Sequence, residues 1–203
     1  MTAPSDEAPV RSGDLVLGED GLARCAWGAS DAEYHRYHDE EWGTPQRDRV
    51  RLFEKLCLEG FQAGLSWITI LRRRPAFREA FHGFVPERVA QMGEDDVVRL
   101  LGDERIIRHR GKIEAAIGNA RVTLVLEPPL EDLLWSFAPA PAADRPRRLA
   151  DVPAVTPEST AMSRELRRLG FRFVGPTTMY ALMQACGMVD DHLEGCHRAV
   201  SAG

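Results

Sequence analysis

Apolar residues along this chain recur mostly three and four positions apart, the spacing of helices with one buried face. No run alternates convincingly in the two-residue period of a strand. The spacing predicts helices over 31–40, 47–64, 66–72, 75–82, 86–91, 94–102, 106–127, 129–138, 159–169, 176–186 and 191–199. The fold class is therefore all-α. Segment 139–158 is rich in Pro and Ala and reads as a connector. No internal repeat is visible.

One predicted helix breaks its own pattern. Projected from Val50, it places Leu52, Leu56, Glu59 and Ala63 in a single stripe flanked by Leu58, Phe61 and Leu65. A carboxylate among apolar neighbours has to be neutralised, paired or at work, since its desolvation costs several kcal/mol as an order of magnitude. Trp67 follows two turns later. A carboxylate beside aromatic faces suits a planar, nitrogen-rich, cationic ligand. The plainer reading is a surface pair between Lys55 and Glu59, with Trp67 in the core. Spacing alone leaves both open.

A second pattern covers 159–187. Ser159 is placed to cap a helix whose stripe is Met162, Leu166 and Leu169, and Gly170 sits at the expected C-terminal stop. A short hairpin, Phe171 to Gly175, leads to Pro176 at the first position of the next helix. Such a unit is either an ordinary pair of helices or a seat for a phosphate at the second helix's N-terminus.

Composition narrows the classes. The chain has 203 residues with 44% apolar content, enough for one well-packed domain. No stretch approaches the roughly 20 apolar residues of a membrane span, so no membrane partner is expected. The net charge of −5 argues at first against nucleic acid, but residues 1–20 carry −4 of it, with five acids and one Arg. Within 145–172 seven Arg face three acids, a local +4. Met1 to Asp20 lacks an apolar signal core and reads as a disordered acidic tail on a cytoplasmic protein. The four cysteines do not form a secreted disulfide framework. Cys57 and Cys186 lie on apolar faces. Cys25 and His38 near one end, with His192 and Cys196 near the other, would complete a tetrahedral Cys₂His₂ site, although His35, His109 and His197 are rivals.

Taken together, these pieces resemble the DNA-3-methyladenine glycosylase I family, within the helix-hairpin-helix DNA glycosylases. The matching residues are Arg24 to Trp27, Tyr34 to Gly43, Leu58 to Trp67, Ile107 to Arg121, Gly170 to Gly175, and Asp191-His192 with Cys196. They occur in order over about 23–197, leaving an acidic tail at 1–22 and a short tail at 198–203. The resemblance implies two helical lobes, a helix-hairpin-helix at 159–187, and one structural Zn²⁺ on Cys25, His38, His192 and Cys196 that joins the N- and C-terminal segments. It implies that Glu59 contacts the extruded base, that Tyr37 and Trp67 line the base pocket, and that Trp27, Tyr34 and Trp42 surround its mouth. Gly170, Phe173, Gly175 and Thr177 correspond to the anchor on the DNA backbone. Asp191 falls near the catalytic Asp of other members of the wider superfamily but is left out of the catalytic set.

The implied partners are double-stranded DNA containing alkylated bases and free 3-methyladenine as product, with the chain a monomer. Glycosylases of this superfamily that also cut the strand use a Lys at the start of the second hairpin helix. Here Pro176-Thr177-Thr178 stands there, and the only lysines are Lys55 and Lys112. A monofunctional hydrolase is expected. The rivals are a non-catalytic damage-binding module, a zinc hydrolase, and a glycosylase whose specificity is shifted by bulk such as Phe61.

Overall fold

The computed structural model describes residues 11–142 and 144–198. Its body is helical: α1 (Ala32–Glu40), α2 (Arg49–Gln62), α3 (Trp67–Ala80), α4 (Pro86–Val89), α5 (Glu94–Leu101), α6 (Arg110–Thr123), α7 (Leu130–Trp135), α8 (Pro157–Arg168) and α9 (Pro176–Ala185). Helix α2 lies at the centre, packed on α9, α6, α3 and α7. Asp48 caps its start, accepting from the Arg51 N–H at 2.9 Å. Its end is closed by Lys112 of α6, whose ammonium donates to the carbonyls of Phe61 at 2.9 Å and Ala63 at 2.7 Å. A cation at the last carbonyls of a helix also meets the favourable end of its dipole. Phe53, Phe61, Phe77, Phe81 and Phe84 are fully buried around this helix.

Several sequence expectations change. Residues 66–72 and 75–82 form one helix, α3, with Pro75 inside it. The Pro75 ring stands on the exposed side, while Leu71, Arg74 and Phe77 on the other side are buried and hold the helix through the lost hydrogen bond. The 106–127 helix starts only at Arg110, where the His109 ring accepts from the Lys112 N–H. Residues 191–198 form turns and no helix, because Gly195 adopts φ +89°. A small antiparallel sheet is present: β1 (Arg11–Ser12), β2 (Leu15–Leu17) and β3 (Ala23–Cys25), in the order β1-β2-β3. Folded structure therefore reaches back to Arg11, within the region expected to be a disordered tail. The rest of that tail, 1–10, and most of the C-terminal tail lie outside the described residues.

Helices α8 and α9 are joined by a turn that runs through Gly170 to Gly175. Thr156, and not Ser159, is the N-cap of α8, and Ser159 closes the reciprocal capping box. At the other end the Gly170 N–H donates to the Arg167 carbonyl and the Phe171 N–H to the Leu166 carbonyl. That pair of bonds, with Gly170 at φ +100°, is a Schellman closure. Two polar groups then fix the turn itself. Ser163 donates to the Val174 carbonyl at 2.6 Å. The buried Asn119 of α6 donates to the Arg172 carbonyl at 3.0 Å and accepts from the Arg172 N–H at 2.9 Å.

Candidate active site and metal centre

Four helices and the connector enclose a cavity of about 410 Å³. Helix α1 contributes Tyr34 and Tyr37, three residues apart on one face. Helix α2 contributes Glu59 and Gln62 at the same spacing, and α3 contributes its first residue, Trp67. Helix α9 presents Thr177, Tyr180, Ala181 and Gln184, one continuous face. Trp27, Trp42 and Asp191 line the cavity from the segments on either side of the helices. Leu149, Val152, Pro153 and Ala154 of the connector form the remaining wall.

The rings support one another. Tyr37 and Trp67 stand with centroids 5.6 Å apart and planes tilted by 52°. Trp27 contacts Tyr34 edge-on at 5.7 Å and Trp42 at 4.9 Å. The Tyr34 hydroxyl accepts from the Ile68 N–H at 3.0 Å, capping the start of α3 and so fixing where Trp67 begins.

Glu59 is 4% exposed. Burial pushes its carboxyl up to about 8, with the Lys55 charge pulling it partly back down. Burial and then the nearby Glu59 charge also hold the Tyr37 phenol well above its usual range, so it stays neutral. A buried acid facing aromatic walls can discriminate a cationic planar ligand from a neutral one by charge, and stack on it at the same time.

Next to this cavity Cys25, His38, His192 and Cys196 converge, all buried, with their ligand atoms within 4.8 Å of one another. The Cys196 sulfur lies 3.4 Å from His38 Nε2 and 3.7 Å from His192 Nδ1. Hydrogen bonding from Cys25, and then from the two imidazoles, holds Cys196 far below the usual thiol range. Both rings are oriented from behind: the other nitrogen of His38 donates to Asp39 at 2.8 Å, and that of His192 to the Trp42 carbonyl at 3.2 Å. Arg24 forks onto Asp39 at 2.8 Å and Asp20 at 2.6 Å, and His197 donates to Asp39 at 3.0 Å. Two glycines permit the approach. A Cβ on Gly28 would stand 2.6 Å from the His38 ring, and one on Gly43 would stand 2.9 Å from His192 Nε2.

These four side chains could hold a metal ion, and two sulfurs with two imidazole nitrogens suit tetrahedral coordination. Two of the rival histidines are engaged elsewhere, His109 at the start of α6 and His197 at Asp39. The third, His35, is exposed and faces Asp39 at 3.3 Å.

All six residues expected at the base pocket thus line one cavity. Of the residues expected on the DNA backbone, Thr177 lines that cavity as well, whereas Gly170, Phe173 and Gly175 lie along the α8–α9 turn. Sequence reasoning missed Gln62, Tyr180, Gln184 and the connector wall. Gln62 follows Glu59 by three, and Tyr180 and Gln184 follow Thr177 by three and seven, so the helical spacing was a usable signal for them. Asp191, set aside earlier, accepts from the Tyr180 hydroxyl at 2.6 Å and from Gln184 at 2.8 Å.

Comparison with known proteins agrees with this geometry. DNA-3-methyladenine glycosylase 1 of Escherichia coli strain K12 is 50% identical over 179 residues, covering 86% of this chain and 96% of that relative. DNA-3-methyladenine glycosylase of Haemophilus influenzae is 46% identical over 177 residues, covering 85% and 96%. A variant of 3-methyladenine DNA glycosylase I, solved in complex with 3-methyladenine, superposes with a TM-score of 0.81 at 38% identity, covering 86% of this chain and 96% of that one. The sequence profile for methyladenine glycosylase matches residues 27–199, from the aromatic cluster through the second pair of metal-site residues, and the chain belongs to that family.

Proposed function

We propose that this chain is a monofunctional DNA-3-methyladenine glycosylase. The observation that carries the proposal is Glu59, desolvated at one wall of a cavity whose other walls include Tyr37 and Trp67. A non-catalytic binding module has no need of a buried acid at such a place.

Methylation at N3 of adenine gives the base a positive charge and weakens its bond to the sugar. The leaving group is already activated, so the protein's main task is to extract and recognise it. Taking a base out of the duplex costs a few kcal/mol as an order of magnitude. Stacking of the cationic purine on Tyr37 and Trp67 returns about 0.5–2 kcal/mol by cation–π attraction. Glu59 accepts hydrogen bonds from the N–H edge of the base, and its ionised form favours the cation over neutral adenine. The bond between base and sugar then breaks through an oxocarbenium-like transition state. Water adds to the sugar carbon, its proton passes to solvent, and neutral 3-methyladenine leaves.

The α8–α9 unit serves as the helix-hairpin-helix anchor on the DNA backbone, with Gly170, Phe173 and Gly175 at the turn and Thr177 at the start of α9. Cys25, His38, His192 and Cys196 would hold one Zn²⁺, whose role is to join the two ends of the chain; a closed set of four protein ligands leaves it no open position. The enzyme works as a monomer in the cytoplasm on alkylated duplex DNA. No helix among the described residues is long and apolar enough to cross a membrane.

The test is release of free base from DNA treated with a methylating agent, resolved by chromatography without added metal. Release of 3-methyladenine supports the proposal. DNA binding with no base released would favour the binding-module reading.

A further inference from the structure

Of the connector wall, Leu149 is 37% exposed and Pro153 and Ala154 are exposed, while Val152 is half-buried against the main core. Polar links from both ends of the chain hold it in place. The Leu149 N–H donates to Asp14 Oδ2 at 2.8 Å, across 135 residues. The Glu194 N–H donates to the Pro146 carbonyl at 2.9 Å, Arg147 pairs with Glu194 at 2.8 Å, and Arg145 pairs with Asp190 at 2.6 Å.

Asp14 is itself fixed. Its carbonyl accepts from the Ala26 N–H at 2.8 Å, and its neighbour Leu15 pairs with Cys25 across β2 and β3. Leu15 also packs against the buried cluster of Cys25, Leu193 and Cys196. The β1–β2 hairpin thus spans from the metal centre to the rim of the cavity, and it lies before Trp27, where the family match begins.

We propose that Asp14 is a positioning residue for the base cavity: from the N-terminal hairpin it holds Leu149 and the 149–154 wall against the bound base. The proposal rests on the reading of this cavity as the base site. Asp14 touches neither base nor sugar, so its effect falls on binding and not on the bond-breaking step.

The experiment compares Asp14→Ala, Asp14→Asn, Leu149→Ala and the double variant Asp14→Ala/Leu149→Ala in the full chain. Free 3-methyladenine is titrated by tryptophan fluorescence, and kcat and KM are measured on methylated DNA. Because the lost bond holds the wall and not the base itself, Asp14→Ala is expected to bind base about fivefold more weakly with a matching rise in KM, and kcat little changed. Asp14→Asn keeps an acceptor oxygen and restores most of the affinity. Leu149→Ala keeps the backbone N–H that bonds Asp14 but removes the side chain that the bond positions, so the double variant is little worse than Leu149→Ala.

Wild-type affinity in Asp14→Ala, or effects of the two single changes that add, overturns the proposal. A wild-type protein that neither binds nor releases 3-methyladenine overturns the base-site reading and this inference with it. Active wild-type protein alongside an unaffected Asp14→Ala overturns this inference alone.

Discussion

Lys55 lies one helical turn before Glu59 on α2, with its ammonium 5.3 Å from the centre of the Tyr37 ring. Tyr37 and Glu59 line the cavity between the helices, whereas Lys55 lines the polar cavity beside it. Its Nζ is buried, with no hydrogen-bond partner among the described residues. Lys55 therefore acts on Glu59 as a charge through space, favouring the ionised carboxylate without touching the base.

That relationship sets the pH dependence of recognition. With the Glu59 carboxyl pushed up to about 8, the free enzyme holds it mostly neutral at lower pH and ionised above. The cationic base prefers the ionised form, so kcat/KM on methylated DNA rises with pH and levels off above about 8. Lys55→Met leaves burial unopposed and moves the rising limb to higher pH. Glu59→Gln removes the limb and lowers the plateau by about 10–100-fold, the worth of one charge-assisted hydrogen bond. A pH profile of the wild type and both variants checks this; an unchanged limb in Glu59→Gln would show that another group titrates.

The same burial has a stability consequence of opposite sense. A carboxyl whose native value lies above its unfolded one binds its proton more tightly in the native state. Its favourable contribution is complete below the ordinary value of 4.5 and is lost as pH rises through about 8. Glu59→Gln carries no such dependence. Its melting temperature should gain on the wild type steadily from pH 5 to about 8, in a series of thermal melts. Parallel curves for the two proteins would contradict the desolvated state of Glu59.

The Cys₂His₂ set makes a prediction about metal. Isolated protein should carry about one zinc per chain, and chelation should lower the melting temperature by roughly 10 °C or more, since metal binding free energy becomes folding free energy. Cys196→Ser should do the same. Replacement by Co²⁺ should give the spectrum of a tetrahedral thiolate site while leaving the excision rate nearly unchanged. A rate that follows the metal's identity would give the ion a chemical role in place of a structural one.

Phe173 is a non-glycine residue at φ 58°, 38% exposed at the α8–α9 turn. Holding an L-residue there costs about 1–2 kcal/mol. Its backbone and Cβ are braced by the close approach of Gly60, and its ring meets His109 edge-on at 6.1 Å. Phe173→Gly relieves the backbone and gives up a partly exposed ring, so melting should change little. If the turn grips DNA, affinity for duplex should fall about fivefold in a fluorescence-anisotropy titration. Wild-type affinity would take Phe173 out of the DNA interface.

Parts of this arrangement were legible in the residues because local spacing carries them. Glu59 stood out by interrupting an apolar stripe, and the Cys₂His₂ cluster by pairing Cys with His at each end of the chain. The route between those residues was less legible. His192 and Cys196 are four apart, as on a helix, yet Gly195 turns the chain and the Leu193 N–H is spent on the Cys25 sulfur at 3.4 Å. The strands are two or three residues long, too short for a two-residue period to show. The connector wall carries only a single short turn, Leu149–Asp151, too brief to show a period, and the bond from the Leu149 N–H to Asp14, far away in sequence, ties it down. Pro75 reads as a boundary, but packing on both sides of it outweighs one lost backbone bond.

The lysines decide whether base removal is followed by strand cleavage. That second step needs an amine that attacks the sugar carbon and forms a Schiff base. Lys112 is committed, donating to both Phe61 and Ala63 at the end of α2. Lys55 faces the Tyr37 ring from the neighbouring cavity. The start of α9, Pro176-Thr177-Thr178, offers hydroxyls and no amine. Borohydride added during turnover should therefore trap no protein–DNA adduct, and the product should be an intact strand with an abasic site. A trapped adduct that disappears in Lys55→Met would assign a lyase step to Lys55 and require the helix to expose it during the reaction.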